Sequence, residues 1–283
     1  MKIRIADEAG FCFGVQRALD MVQRASQQGK KLSVLGPIIH NPQVVADLEN
    51  QGIRSVDDLE EVPTPYVVIR SHGVPPEVYQ RAESMGLKTL DATCPFVKTA
   101  QDVARQLHND GYQVVVVGKE HHPEVMGLVG HAGGDAVVVD DPKALEGVRF
   151  SNKVGVLAQT TMRYEIFAQV VSELLRRCRE VRAFNTICYT TRQRQESTRA
   201  LAKSVDVMIV VGGKNSSNTT RLFEICLDSG VSAYHIETAE EIKAEWFQGA
   251  NEVGITAGAS TPPSLVQKVA EHIRRITQGV ETQ

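Results

Sequence analysis

Three cysteines, Cys12, Cys94 and Cys188, divide the 283-residue chain into stretches that repeat one another. A repeat of this period restricts the fold to copies of one small unit. Each cysteine is followed by an amphipathic, helix-like stretch, in turn GVQRALDMVQRA, PFVKTAQDVARQL and YTTRQRQESTRALAK. Each helix leads to a β-rich segment closed by glycine (KLSVLG, YQVVVVG, VDVMIVVG), and Gly36, Gly118 and Gly212 all fall 24 residues after their cysteines. Four residues further on stand His40, His122 and Ser216, in loops that open further helix-like segments. Then comes a second β-run (GIRSV, DAVVVDD, VSAYHIE) and a third, which ends in a small polar loop around His72, Thr160 and Ser260. These lie 60, 66 and 72 residues beyond the cysteines, a drift of six per unit of the kind that loop insertions produce.

In the first two units a further helix and strand lead into the next cysteine, whereas the third unit has the helix SLVQKVAEHIRRI and no strand after it. The missing strand is supplied by the N-terminal segment KIRIADEAGFC, which is expected to pair into the third domain. Regular alternation of strand and helix predicts an α/β fold with parallel sheets flanked by helices and right-handed crossovers. The expectation is three small pseudo-threefold-related α/β domains, at 13–92, 93–186 and 187–283, the last closed by the strand in 1–12. Each presents one cysteine and two polar loops at the carboxyl ends of its strands, where open α/β sheets bind ligands.

Composition narrows the function. With 31 Lys+Arg against 34 Asp+Glu the net charge is −3, and no basic block suits a nucleic-acid backbone. The arginines at 176, 177, 179 and 182 read as a solvated face at a helix end. The apolar runs are strand-sized and the N-terminus has no apolar signal region, so the expectation is a cytoplasmic protein without a membrane partner. Five cysteines in a chain this long do not make a secreted disulfide framework.

Cys12, Cys94 and Cys188 each fall between a strand and a helix, where a helix N-terminus favours thiolate. Three thiolates in one register suit either an iron–sulfur cluster with one iron lacking a protein ligand or a three-cysteine zinc site. Cys178 and Cys226, inside helix-like patterns, read as core. Ser216, Ser217 and Asn218 open a helix and offer hydroxyls, an amide and backbone N–H groups to a phosphate. His40, His72, His122 and Ser260 can add hydrogen bonds to an anion, although any one of these residues could equally be a cap or a turn. GGKNSS lacks the GK[ST] of a nucleotide-binding phosphate loop, so ATP is not expected. Glu124 is the candidate acid, its alternative being a first-turn glutamate favoured by the helix dipole. Thr160 can orient a substrate hydroxyl or relay a proton. A zinc hydrolase and a non-catalytic binder of phosphorylated ligands are the rivals, and each needs only part of this register.

The motifs GFCFGVQRAL, HNPQVV, SHGV, DATCP, HHPEVMG, QTTM, CYTTRQRQ, GGKNSSN and ITAGAST, in that order from about Ala9 to about Val266, resemble the 4-hydroxy-3-methylbut-2-enyl diphosphate reductase family. These enzymes perform the last step of the methylerythritol phosphate route to isoprenoids. The resemblance implies a trefoil-like fold around a central metal cluster, an oxygen-sensitive 4Fe-4S cluster held by Cys12, Cys94 and Cys188. It also implies an allylic diphosphate substrate held by His40, His72, Ser216, Ser217, Asn218 and Ser260, with His122 in the same pocket. Glu124 would be the proton donor and Thr160 its hydrogen-bonded partner. Electrons would come from an external donor, a ferredoxin, a flavodoxin or an NAD(P)H-linked reductase system, and a monomer is expected. The loop GKEHHPE departs from the family in carrying Lys119 and Glu120 where small residues are common.

Overall fold

The structure, a computed structural model, describes residues 1–278. In chain order the elements are β1 (Lys2–Ile5), α1 (Phe13–Gln27), β2 (Leu32–Leu35), α2 (Pro42–Asn50), β3 (Arg54–Val56), β4 (Tyr66–Ile69), α3 (Pro76–Ser84) and β5 (Lys88–Asp91). Next come α4 (Pro95–Asn109), β6 (Gln113–Val117), α5 (Pro123–His131), β7 (Val137–Val139), β8 (Lys153–Ala158), α6 (Tyr164–Arg177) and β9 (Glu180–Phe184). The remainder is α7 (Tyr189–Ala202), β10 (Val207–Val211), α8 (Ser217–Asp228), β11 (Ser232–Ile236), β12 (Glu252–Ala257) and α9 (Pro263–Gln278). Short 3-10 turns follow β3, β7 and β11.

The strands form three four-stranded sheets, ordered β3-β2-β4-β5, β7-β6-β8-β9 and β1-β12-β10-β11. Every pairing is parallel, and β1 joins β12 with Lys2 opposite Glu252, as the N-terminal strand was expected to do. The described residues pack as two compact units: 1–16 with 39–47 and 189–278 form the first, and 17–38 with 48–188 form the second. The first holds the sheet containing β1, and the second holds the other two.

Sequence explains which strands are central. LSVL, QVVVV and VMIVV are rich in β-branched and aliphatic residues and are buried almost throughout, as inner parallel strands covered on both faces must be. Alternate side chains then serve opposite cores. Val115 and Val117 pack with Phe167, Val170 and Leu174 of α6, while Val114 and Val116 pack with Ala104 and Leu107 of α4 and Leu128 of α5. On β10, Val207, Ile209 and Val211 face α9, and Met208 and Val210 face the side chains of Leu201 and Leu222. Helix α4 approaches β8 closely at Gly155, where a Cβ would lie 2.5 Å from Leu107, and Gly254 of β12 would meet Leu201 at 3.0 Å. Leu107 and Leu201 both stand 13 residues after their cysteine, so the repeat extends to a leucine-over-glycine contact. At the same level of the first repeat the sizes are reversed, with Ala25 on the helix and Tyr66 on the strand.

Candidate active site

Each sheet ends where a cysteine begins a helix. Cys94 occupies the capping position of α4, with Pro95 as the first helical residue, and Cys12 and Cys188 directly precede α1 and α7. The backbone around the three is equivalent in detail: Cys12 N–H donates to the Ala259 carbonyl at 3.0 Å, Cys94 N–H to the Ser71 carbonyl at 3.0 Å and Cys188 N–H to the Thr160 carbonyl at 2.9 Å. One hydrogen bond therefore ties every cysteine to the loop after the third strand of its sheet. None of the five cysteines is in a disulfide. Three thiols delivered by the same device suit a thiolate-ligated metal centre by the chemistry of the donor set. Cys226 is different, a core residue whose thiol burial pushes up to about 12, and burial also raises Cys178.

The same hydrogen bonds correct the register of the third loop. The sheets align Ile69, Ala158 and Ala257 as the last residues of β4, β8 and β12, which puts Thr161 level with His72 and Ser260, and Thr160 level with Ser71 and Ala259. Thr160 is thus not the positional counterpart of His72, and the drift is uneven. The first loop is corrected too. His122 and Ser216 cap α5 and α8, but α2 is capped by Asn41, whose Oδ1 accepts the Val44 N–H at 3.1 Å, so His40 lies one residue earlier. The Asn41–Pro42 pair carries a helix-start signal that the count from the cysteine passed over.

In the second unit, Glu124 is held by Thr160. The Thr160 N–H donates to Oε1 at 2.6 Å and its hydroxyl to Oε2 at 2.9 Å. Glu124 is 2% exposed, and burial raises its pKa from 4.5 to about 7 against the lowering effect of both Thr160 contacts. Such a carboxyl changes protonation near neutral pH, which suits a general acid. His122 turns its Nδ1 inward to accept the Glu124 N–H at 3.1 Å, and its ring meets that of His72 edge-on at 5.6 Å. Two residues unmarked in the sequence brace this group. Gln159 Oε1 accepts the Lys119 N–H, holding the loop ahead of His122. Buried Gln101 of α4 fills the space over Gly73, whose φ of +72° suits glycine, and lies near Gly127 of α5.

In the first unit, the start of α8 presents Ser216, Ser217 and Asn218. Ser216 Oγ accepts the Thr219 N–H at 3.3 Å, and Asn218 is buried with neither side-chain polar atom bonded to another protein group. The Thr219 hydroxyl is likewise buried and unmatched. An orphaned amide at a helix N-terminus fits an anionic ligand. Close by, Asn41 Nδ2 donates to the Ser260 carbonyl at 2.9 Å, and Ser260 Oγ donates to the His40 carbonyl at 3.1 Å. Arg194 of α7, also unmarked in the sequence, is 2% exposed and clasps the turn before Cys12, donating to the carbonyls of Glu8 at 2.8 Å and Gly10 at 2.9 Å.

Strand-end thiols, a helix start suited to an anion and a buried glutamate whose pKa burial raises are the features of an α/β enzyme for an anionic substrate. The chain belongs to the LytB protein family, whose model matches residues 3–274. It is 49% identical over 274 residues to the 4-hydroxy-3-methylbut-2-enyl diphosphate reductase of Geobacter sulfurreducens, covering 97% of both chains. The enzyme of that name from Aquifex aeolicus is 45% identical over 281 residues, with 98% of this chain and 97% of the relative covered. Among solved structures, a reductase described as the terminal enzyme of the non-mevalonate pathway is 45% identical, with a TM-score of 0.71 and 97% and 100% of the two chains covered. The corresponding Plasmodium falciparum reductase is 26% identical, with a TM-score of 0.91, 95% of this chain and 87% of that chain covered.

Proposed function

We propose that this chain is a 4-hydroxy-3-methylbut-2-enyl diphosphate reductase, the activity that its full-length relatives carry in their names. The reaction is a reductive dehydration: the allylic alcohol takes up two electrons and two protons, the C–O bond breaks, and water leaves with isopentenyl or dimethylallyl diphosphate as the product. Cys12, Cys94 and Cys188 would hold a 4Fe-4S cluster, which when bound supplies the electrons one at a time and an open iron for the substrate hydroxyl. The matched N–H bonds that orient the three cysteines support this ligand set.

The other roles belong to the chain's own side chains. Ser216, Ser217, Asn218, Ser260, His40 and His72 bind the diphosphate, with His122 in the same pocket, and so fix the allylic carbon in place. Glu124, protonated at Oε2 or Oε1, gives its proton to the departing hydroxyl, and Thr160 holds that carboxyl in position through two hydrogen bonds. The observation that carries the acid assignment is the complete burial of Glu124 with its pKa near 7. The electrons come from an external carrier, a ferredoxin, a flavodoxin or an NAD(P)H-linked system.

The deciding experiment is iron, labile sulfide and zinc per chain in protein purified without oxygen, followed by turnover of the allylic diphosphate. Near four irons and four sulfides with formation of both isomeric diphosphates is the expected result. Zinc near one per chain, or no metal at all, overturns the redox assignment.

A further inference from the structure

Strand β11 ends with His235 and Ile236 and is followed by Glu237, and two of these side chains reach the loop that opens the anion site. In every sheet the glycine after the first inner strand donates its N–H to the neighbouring strand: Gly36 to the Val56 carbonyl at 2.7 Å, Gly118 to Val139 at 2.8 Å and Gly212 to Ile236 at 2.9 Å. The third sheet adds a side chain to this shared bond. His235 Nε2 lies 2.8 Å from the Gly212 carbonyl and, because a carbonyl only accepts, this nitrogen donates. Ser55 and Val138 hold the same level in the other two sheets, and neither has the length to reach its glycine. Beyond β11, Glu237 Oε1 accepts the Lys214 N–H at 2.8 Å. The loop 212–216 is thus gripped at a carbonyl and at an N–H just ahead of Ser216, Ser217 and Asn218.

Glu237 also reaches the other arm of the site. Its carbonyl accepts Gln43 Nε2 at 3.3 Å, and Gln43 belongs to α2, just after His40 and the Asn41 cap. The two arms approach closely, since a Cβ on Gly213 would lie 2.9 Å from the His40 carbonyl. Glu241 orients Glu237 in turn: its Oε1 accepts the N–H groups of Glu237 at 2.7 Å and Thr238 at 2.9 Å, while its Oε2 pairs with Lys214 Nζ at 3.1 Å. All of these residues belong to the first compact unit.

On the premise of the diphosphate site proposed above, we infer that His235 and Glu237 are positioning residues for that site. They act through the loop rather than on the substrate, fixing residues 212–216 against the start of α2 and so setting the spacing between the N-terminus of α8 and His40. A loop held in place before binding loses less freedom when the anion arrives, and its donors are aimed in advance. Charge works in the other direction. The Glu237 carboxylate by itself repels an anion at α8, and only its acceptor role favours binding. Removing the acceptor and removing the charge therefore have contrary effects, which makes the role measurable.

The test titrates inorganic diphosphate into anaerobically purified holoenzyme by calorimetry and measures turnover of the allylic diphosphate in parallel. The double variant His235→Leu/Glu237→Ala removes both grips. Its Kd for diphosphate and its KM for substrate should each rise about tenfold with kcat within about twofold of the wild type, the pattern of a binding loss shared by ground and transition states. A second double variant, His235→Gln/Glu237→Gln, keeps a donor and an acceptor while deleting the charge, and should bind diphosphate within about twofold of the wild type or more tightly. Amide exchange over residues 213–217 should quicken in the first variant only. An unchanged or lower Kd in the first variant overturns the inference, as does a second variant that binds as weakly as the first. If the first variant loses iron or thermal stability, Gln43→Met tests the same link from half-exposed α2 by deleting only the donor to the Glu237 carbonyl. A Kd raised about threefold there supports the positioning role, and an unchanged Kd refutes it. Wild-type protein that binds no diphosphate overturns this inference together with the proposed substrate, whereas diphosphate binding without an iron–sulfur cluster refutes the proposed function alone.

Discussion

Replacing Glu124 by glutamine separates the acid–base role of this residue from its packing. The carboxyl is fully buried and its pKa is raised from 4.5 to about 7, chiefly by burial. Between these values the native state holds a proton that the unfolded chain has released, so stability falls as pH rises through this window and is lowest once the folded carboxyl ionises. At about 1.4 kcal/mol per pH unit, the ionised side chain costs the fold about 3 kcal/mol. Glutamine keeps the shape, accepts the Thr160 N–H through Oε1 and can donate to the Thr160 hydroxyl, but it has no charge to bury. Glu124→Gln should therefore match the wild type in urea unfolding at about pH 4.5 and exceed it by up to about 3 kcal/mol at about pH 8.5. Turnover should fall about 10²- to 10⁴-fold, the usual worth of a positioned general acid, with iron content and substrate KM retained. Stability curves that run parallel over the whole pH range, or turnover near the wild-type rate, would refute the assignment.

Thr160→Val keeps the N–H bond to Glu124 and deletes the hydroxyl bond, which lowers the pKa of the carboxyl. The alkaline limb of the pH–rate profile should move to higher pH with a lower maximal rate, and an unmoved limb would show that the hydroxyl does not act on Glu124. Asn218→Leu removes a buried amide that has no protein partner, so thermal stability should hold or rise by about 1 kcal/mol while substrate KM rises at least about tenfold. Lost stability with unchanged KM would make Asn218 a structural residue. Arg194→Met strips the Glu8 and Gly10 carbonyls of their buried donors at a cost of about 2–4 kcal/mol, and the first sign should be faster amide exchange over residues 8–12. Unchanged protection there would mean that the turn before Cys12 holds its shape unaided.

The repeat was readable because its markers are chemically conspicuous: a cysteine, an apolar run and a glycine at a fixed interval survive in any loop context. That pattern was sufficient for three parallel sheets and for placing the first strand in the third of them, while its neighbour β12 came from the structure. The one-residue displacements at Thr160 and His40 have a common cause. Counting along a chain cannot tell which residue of a loop is extra, whereas the hydrogen-bond register of β8 and the capping of α2 by Asn41 decide it. Gln101, Gln159 and Arg194 were given no role from the sequence for another reason. Polar residues in a helix or loop ordinarily face water, and only close packing, such as Gln101 over Gly73, reveals one turned inward. The arginine cluster behaves as expected of a solvated face, with Arg176 and Arg177 paired to Glu173 and Arg182 to Asp110.

The pairing of β1 with β12 sets a schedule for synthesis. Lys2 lies opposite Glu252, so β1 waits for a strand synthesised about 250 residues after it. At roughly 5–20 residues per second the partner of β1 follows about 10–50 s later, during which β1 has no edge of its own sheet to join. The sheets of the second unit, whose strands all fall between Leu32 and Phe184, can be finished within that interval. A chain broken off before Glu252 leaves β1 without its partner strand, an unpaired edge of the kind that invites aggregation.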